Sequence, residues 1–126
     1  METTMGIIVG VAGLPLFVLG LRSMFKPRGM GKPFAVNPQG AAGLSTIRSV
    51  AGGLFFACVS MLALGLATGQ TLWLLAVAIV MGAVAVGRVV GIVSDGLDKA
   101  VVPPLVVELV IGSTLVVAHF VLGGSV

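Results

Sequence analysis

A chain of 126 residues with 58% hydrophobic residues, 9% charged residues and a mean hydropathy of +1.23 does not have the composition of a water-soluble domain. Soluble domains contain about 25% charged residues, and a core this apolar would leave too few polar side chains to cover its surface. The net charge of +3 indicates membrane topology rather than nucleic-acid binding, because the basic residues are concentrated in one loop. Cys58 is the single cysteine, which excludes an internal disulfide.

Four apolar segments are each long enough to cross a bilayer, which takes about 20 residues in a helix. They are Met5–Met24, Leu44–Thr68, Leu72–Val93 and Pro103–Leu122. Because short connections favour antiparallel neighbours, the sequence predicts an all-α fold, a four-transmembrane-helix antiparallel bundle that forms one domain over residues 1–126. The N-terminus lacks the basic region and the cleavage site of a signal peptide, so the first span is predicted to be retained.

The connections between the spans predict the orientation of the chain in the membrane. The first connection carries four basic residues and no acidic one, and basic loops stay on the cytoplasmic side. We therefore expect this loop inside, the Gly69–Gln70 turn outside, the turn around Asp95 inside, and both termini outside. The four basic residues are Arg22, Lys26, Arg28 and Lys32.

Small residues recur at four-residue spacing, a pattern that lets helices approach closely in lipid. Glycine is common in this chain, with 19 residues, so some of these pairs arise by chance. The pattern predicts helix-packing ridges, at least one of them between chains, and hence a homo-oligomer or a subunit of a larger membrane complex. The ridges are Gly6/Gly10, Gly65/Gly69 and Ala83/Gly87/Gly91.

Three charged residues lie inside the predicted spans at a similar depth on the cytoplasmic side: Arg48, Arg88 and Glu108. A charge at the centre of a span costs about 2.5–3.5 kcal/mol on insertion scales. Because opposite charges at the same depth can compensate one another, we predict a cluster of these three residues, with Asp95 as a second acid. Three interpretations remain open: arginines that reach lipid headgroups, a structural salt bridge, and a ligand or ion site.

The last span has one polar stripe, since His119 follows Glu108 by eleven residues and shares its helix face. Gly112 and Leu115 lie on the same stripe. Glu108 and His119 are candidates for proton handling, although His119 is most simply an interfacial polar residue. One histidine and one cysteine cannot build a metal site within one chain. No catalytic set and no cofactor signature is present, and a bound lipid is the one ligand that we expect.

Three stretches carry a resemblance to a known family. They are NPQG at 37–40, TIRSVAGG at 46–53 and GRVVGIVSDG at 87–96, together with Glu108. The chain resembles a family of small bacterial four-helix membrane proteins described only as a domain of unknown function, which is loosely similar to DoxX-like proteins. Val50 and Ala51 depart from the bulkier or aromatic residue that the family has before the glycines. The resemblance implies a four-helix fold, the bacterial inner membrane and no established activity.

The sequence leaves competing functions. The first is a non-enzymatic membrane protein that binds a lipid, an amphipathic small molecule or a membrane complex, with Arg48 and Arg88 holding an anionic headgroup. The alternative is a proton-coupled small-molecule transporter that works as a dimer, using Glu108 and His119. The third, an enzyme or redox subunit, has no motif in its favour.

Overall fold

The computed structural model describes residues 2–123, and none of these residues forms a β-strand. Within them lie four helices long and apolar enough to cross a membrane, so the predicted all-α fold with four spans is confirmed. Helix α1 covers Glu2–Phe25 and remains continuous through Pro15. Helix α2 covers Gly40–Thr68, α3 covers Leu72–Asp95, and α4 covers Lys99–Leu122.

Two of these helices change their winding at particular points. In α2, a π-helical segment at Ile47–Gly52 separates the α-helical segments Gly40–Thr46 and Gly53–Thr68. Helix α4 opens with a 3₁₀ turn at Lys99–Val101 and continues as Val102–Ala118. It ends in a π-helical turn at His119–Gly123. Single π-turns inside α-helices occur often at functional positions.

The predicted span boundaries were short at several ends, because local hydrogen bonds extend the helices beyond the most apolar residues. Helix α2 begins at Gly40, where the amide of Gly43 donates to the carbonyl of Gln39 at 2.9 Å. At the start of α4, the Asp98 carboxylate accepts a hydrogen bond from the amide of Ala100 at 2.8 Å. This cap starts a 3₁₀ turn before Pro103.

The chain contains two compact units, of which the first includes residues 2–12 and 61–123 of the described chain. Its core lies mainly between α3 and α4, which make the most extensive helix contact in the unit. The buried side chains of α3 recur with helical periodicity, so one stripe faces α4. The stripe consists of Leu74, Val77, Ala78, Met81 and Ala85, opposite Ile111, Gly112, Leu115 and Ala118.

The second unit, residues 13–60, holds the rest of α1, the basic loop and the first part of α2. The rings of Phe17 and Phe56 pack edge to face with centroids 6.1 Å apart. After α1, a 3₁₀ turn at Pro27–Met30 folds the loop back and buries Met30 completely. Ser23 is also fully buried, and its hydroxyl has no hydrogen-bond partner among the described residues.

One predicted ridge is wrong in part, because Gly69 does not belong to a helix. Helix α2 ends at Thr68, and Gly69 has φ +71°, a left-handed conformation that glycine adopts without strain. Gly65 is buried and does pack closely, since a Cβ placed on it would lie 3.3 Å from the Cβ of Trp73. Gly65 therefore allows α2 and α3 to meet, while Gly69 allows the chain to turn.

Most of the apolar surface of the four helices points outward. Only 22–28% of the most apolar window of each span is buried within the chain. Side chains such as Val11, Ile79, Val86 and Val121 are 63–74% exposed. Apolar surface on this scale is stable only against lipid or other helices, which agrees with a membrane location.

Candidate functional site

Arg88 of α3 and Glu108 of α4 form a salt bridge. The Nε of Arg88 donates to both carboxylate oxygens of Glu108, at 2.7 and 2.9 Å. Glu108 is the better shielded partner, with 12% of its side chain exposed against 33% for Arg88. It is the only ion pair among the described side chains, those of residues 3–122, and it joins two of the residues that the sequence placed at one depth. Each charge of this pair is therefore compensated inside the chain.

The other end of the same two helices is joined by a buried hydrogen bond. The hydroxyl of Thr71 and Nδ1 of His119 lie 3.0 Å apart, and only 2% and 4% of these residues are exposed. Helix α4 turns its polar stripe toward α3, so the imidazole of His119 is buried within the chain. The fold uses His119 to satisfy the hydroxyl at the start of α3.

The two polar contacts define how α3 and α4 lie together. Arg88 meets Glu108 near one end, and Thr71 meets His119 near the other, so the helices run antiparallel. Between these contacts, a Cβ placed on Gly112 would lie 3.4 Å from the Cβ of Met81, which marks a close approach of the helices. The stripe from Glu108 to His119 is thus an interhelical packing face. Proton handling by Glu108 and His119 stays a prediction.

Arg48 has a different environment, in the second unit. It is exposed, and its guanidinium donates to the backbone carbonyl of Met24 near the end of α1. It lies in the π-helical segment Ile47–Gly52. The carbonyls of the last helical turn lack partners within the helix, so Arg48 satisfies one of them from the neighbouring helix. This contact holds the guanidinium through Nη1 and leaves Nε and Nη2 free of that carbonyl.

Gly52 lies one turn after Arg48 and faces the same residue of α1. A Cβ on Gly52 would meet the backbone nitrogen of Met24 at 3.2 Å and its Cα at 3.4 Å. On Gly53, by contrast, a Cβ would meet nothing within 4 Å. The Arg-x-x-x-Gly spacing of the sequence therefore has a physical reason: both residues act on Met24, one by hydrogen bonding and one by allowing contact.

A basic pocket of about 300 Å³ opens beside Arg48. Three of its lining residues are the cations Lys26, Arg28 and Arg48, and none is an acid. We call it the basic pocket. The rest of its lining consists of Phe25, Pro27, Gly29 and Leu44.

An apolar groove of about 420 Å³ lies in the same unit and shares helix α2 as a wall. Its α2 lining includes Ile47 and Val50, which are neighbours of Arg48 along the helix. The opposite side comes from the end of the basic loop, where Phe34 and Val36 are exposed in part or in full. Residues in the first turns of α2 thus line both a charged and an apolar cavity.

The distribution of charge between the two units is unequal. The unit of residues 13–60 contains five basic residues and no acidic one. The other unit contains two basic residues, Arg88 and Lys99, and all four acidic residues of the chain. Basic residues without acidic neighbours attract anions, so the unit with the basic pocket is the candidate anion site.

The structure shows one pair of the predicted charge cluster in contact. Arg88 and Glu108 are in contact, while Arg48 belongs to the other unit, and its described partner is the carbonyl of Met24. Helix α3 continues to Asp95, and Asp95 is exposed. A cluster of all four residues stays a prediction.

The predicted packing glycines also differ from one another. A Cβ on Gly6 would make an ordinary contact of 3.9 Å with Leu66, whereas on Gly10, Gly87 or Gly91 it would meet nothing within 4 Å. These three glycines do not serve close packing inside the described chain.

Sequence reasoning missed three features of the site. Lys26 and Arg28 were interpreted only as topology signals, although their place just after the end of α1 could have suggested that they share a pocket with Arg48. Thr71 could have been found from the antiparallel pairing of α3 and α4, which brings the start of one helix to the end of the other. The π-helical turns leave no signal in residue types.

Four long apolar helices with a few compensated charges and a basic pocket define a small integral membrane protein. The family model described as "Domain of unknown function (DUF4345)" matches residues 4–119, so the chain belongs to this family. This confirms the resemblance to an uncharacterised family, and the looser likeness to DoxX-like proteins stays a prediction. No match was found among curated proteins or among solved structures.

Proposed function

We propose that this membrane protein binds an anionic amphiphile, a phospholipid, in the basic pocket, and that it acts without catalysing a reaction. The observation that carries the proposal is the convergence of Lys26, Arg28 and Arg48 on one pocket that no acid lines. Guanidinium groups present planar pairs of donors that match phosphate oxygens. Basic pockets at the cytoplasmic ends of spans are typical headgroup sites.

The apolar groove supports an amphiphile rather than a free anion. It lies on the same helix wall as the pocket, and Val50 within it is 64% exposed. A headgroup held at Arg48 would leave its acyl chain beside this apolar surface. The two neighbouring sites therefore match the two chemical halves of one lipid molecule.

We propose Arg48 rather than Arg88 as the arginine that holds the headgroup. The sequence suggested Arg48 together with Arg88, but Arg88 already donates to both oxygens of Glu108. An anion at Arg88 would compete with that carboxylate. Arg48 is bonded to a neutral carbonyl, so its charge remains available, and we assign the binding role to it.

The test is lipid retention by the purified protein in mild detergent, measured by native mass spectrometry. We expect phosphatidylglycerol to bind more tightly than phosphatidylcholine. Replacing Lys26 and Arg28 together with glutamine should weaken phosphatidylglycerol binding roughly thirtyfold, since each cation near a membrane surface contributes about 1 kcal/mol. Arg48→Gln should act in the same direction.

Lys32→Gln is the matched control, because Lys32 is an exposed cation of the same loop that does not line the pocket. Its effect should be less than a third of that of either pocket variant. Equal retention of the two lipids by the unmodified protein would refute the proposal. So would equal losses in Lys32→Gln and in the pocket variants.

We further propose that the protein lies in the bacterial inner membrane with both termini outside and the basic loop in the cytoplasm. The basic residues of the loop support this orientation. In a Cys58→Ala background, a cysteine at Gln70 should react with a membrane-impermeant maleimide in intact spheroplasts. A cysteine at Lys32 should react only after permeabilisation. Labelling of position 32 in intact spheroplasts would contradict the proposed topology and indicate the opposite orientation.

We also propose that the chain assembles, as a homo-oligomer or as a subunit of a larger complex, through the Ala83/Gly87/Gly91 ridge. The support is that Ala83 and Gly87 are exposed and that a Cβ on Gly87 or Gly91 meets nothing within 4 Å. Gly87→Leu should lower the mass of the particle in mild detergent and leave its thermal stability as a monomer unchanged. If the unmodified protein is itself a monomer, with the same particle mass as the Gly87→Leu variant, the proposed interface is contradicted.

A further inference from the structure

We infer that the basic pocket selects a lipid whose headgroup ends in a phosphate monoester over one that carries a phosphodiester. The inference rests on the proposed lipid binding and names the ligand class for the same pocket. A phosphodiester such as phosphatidylglycerol carries one negative charge. A phosphate monoester such as phosphatidic acid carries about −1.5 to −2 near pH 7.

The first support is the number of charges that the pocket leaves unmatched. Lys26, Arg28 and Arg48 line it without an acid, and the unit of residues 13–60 has no acid anywhere in its sequence. A single negative charge would leave two of the three cations uncompensated. A dianion compensates more of them within the same pocket, which favours its binding.

The second support is the match between donors and acceptors. A terminal phosphate has three oxygens that are free of ester bonds, whereas a phosphodiester has two. Two guanidinium groups and one ammonium group can each take one of these three oxygens as acceptor. The carbonyl of Met24 holds one nitrogen of Arg48, so this fork is positioned before the ligand arrives.

The third support is the contrast with the other charged sites of the described chain. Arg88 is matched by Glu108 in a salt bridge. Lys99 lies next to Asp98 in the sequence. The basic pocket differs from both of these sites, because several cations share it without a carboxylate.

The same composition makes the selectivity measurable through pH. The unit contains neither a carboxylate nor a histidine, and its charged groups are Arg22, Lys26, Arg28, Lys32 and Arg48. Measurements between pH 5 and pH 8 span the second ionisation of a phosphate monoester. The second proton of a phosphate monoester leaves near pH 6. A change of affinity across this range would therefore report the charge of the ligand.

The experiment measures the binding of a probe lipid by the full chain in nanodiscs of phosphatidylcholine that contain about 10 mol% of the probe. The probe is either phosphatidic acid or phosphatidylglycerol. At pH 7.5, phosphatidic acid should bind roughly five- to tenfold more tightly, the effect of about one additional ion pair. At pH 5 this advantage should fall to about twofold or less, since the monoester is then mainly a monoanion. Phosphatidylglycerol should bind equally at both pH values.

Arg28→Gln is the variant of choice, because Arg28 is exposed and, unlike Arg48, holds no backbone carbonyl through its side chain. It should reduce the preference for phosphatidic acid to about twofold, while Lys32→Gln preserves it. Inorganic phosphate at millimolar concentration should not displace the lipid. Displacement would assign the pocket to a soluble phosphate and overturn the inference.

The outcomes separate the two proposals. Equal affinity for phosphatidic acid and phosphatidylglycerol, with both above phosphatidylcholine, overturns the monoester selectivity and leaves anionic lipid binding intact. Equal affinity for all three lipids overturns both proposals. A preference for phosphatidic acid that persists unchanged at pH 5 also overturns the inference, because it would not follow the ligand charge.

Discussion

Glu108→Ala is expected to lower the free energy of unfolding by about 3 kcal/mol. Removing one partner of a buried ion pair leaves the other charge uncompensated, at a cost of about 3–5 kcal/mol. We expect the lower end of this range because Arg88 is one-third exposed and can turn toward headgroups. Unfolding of the purified protein by denaturant in mixed micelles would measure the change.

Two further variants separate the ion pair from other losses. Asp98→Ala removes only the cap on the amide of Ala100, which should cost about 1 kcal/mol. The double variant Arg88→Gln with Glu108→Gln removes both charges, so it should be more stable than Glu108→Ala alone. If Glu108→Ala proves no more harmful than Asp98→Ala, the salt bridge does not stabilise the fold.

Gly52→Ala is expected to destabilise the protein by about 1–3 kcal/mol, the usual range for an added methyl in a tight contact. Its new Cβ would meet the backbone of Met24 at 3.2 Å, and backbone atoms cannot move aside as the end of a side chain can. The displaced helix would also lose the hydrogen bond from Arg48 to Met24. Thermal unfolding followed by circular dichroism would measure the change.

The adjacent residue supplies the control. A Cβ on Gly53 meets nothing within 4 Å, and alanine is favoured over glycine in a helix by about 1 kcal/mol. Gly53→Ala should therefore be neutral or stabilising. Opposite signs at neighbouring positions would show that the effect is steric. Equal destabilisation by both variants would contradict the close contact at Met24.

Some features of the structure could not be predicted at the level of single residues. The spans were underestimated at their ends because caps such as that of Asp98 act through backbone hydrogen bonds, which hydropathy does not register. Gly65 and Gly69 have the same spacing as a packing pair. The φ of +71° at Gly69 agrees with the predicted turn after Thr68 and shows that Gly69 is not part of a packing ridge.

The charged residues of the candidate site could be singled out from the sequence, but their contact partners could not. Arg48, Arg88 and Glu108 stood out because charges are rare and costly in apolar spans. The contacts among these residues depend on the rotation of each helix and on the distance between helices. Small residues and the lengths of the facing side chains together determine both quantities. Arg88 forms a salt bridge with Glu108, while Arg48 donates a hydrogen bond to a backbone carbonyl. Every residue carries such a carbonyl, so no sequence pattern identifies the one that Arg48 contacts.

The sequence by itself determined that this chain is a membrane protein of four helices with a basic loop, because apolar length and charge are properties of the residues alone. Tertiary structure alone decided that His119 is buried against Thr71 and that Lys26, Arg28 and Arg48 line one pocket. Such groupings arise from residues distant in the chain. They depend on how the helices pack, and the periodicity of the apolar residues is compatible with more than one packing.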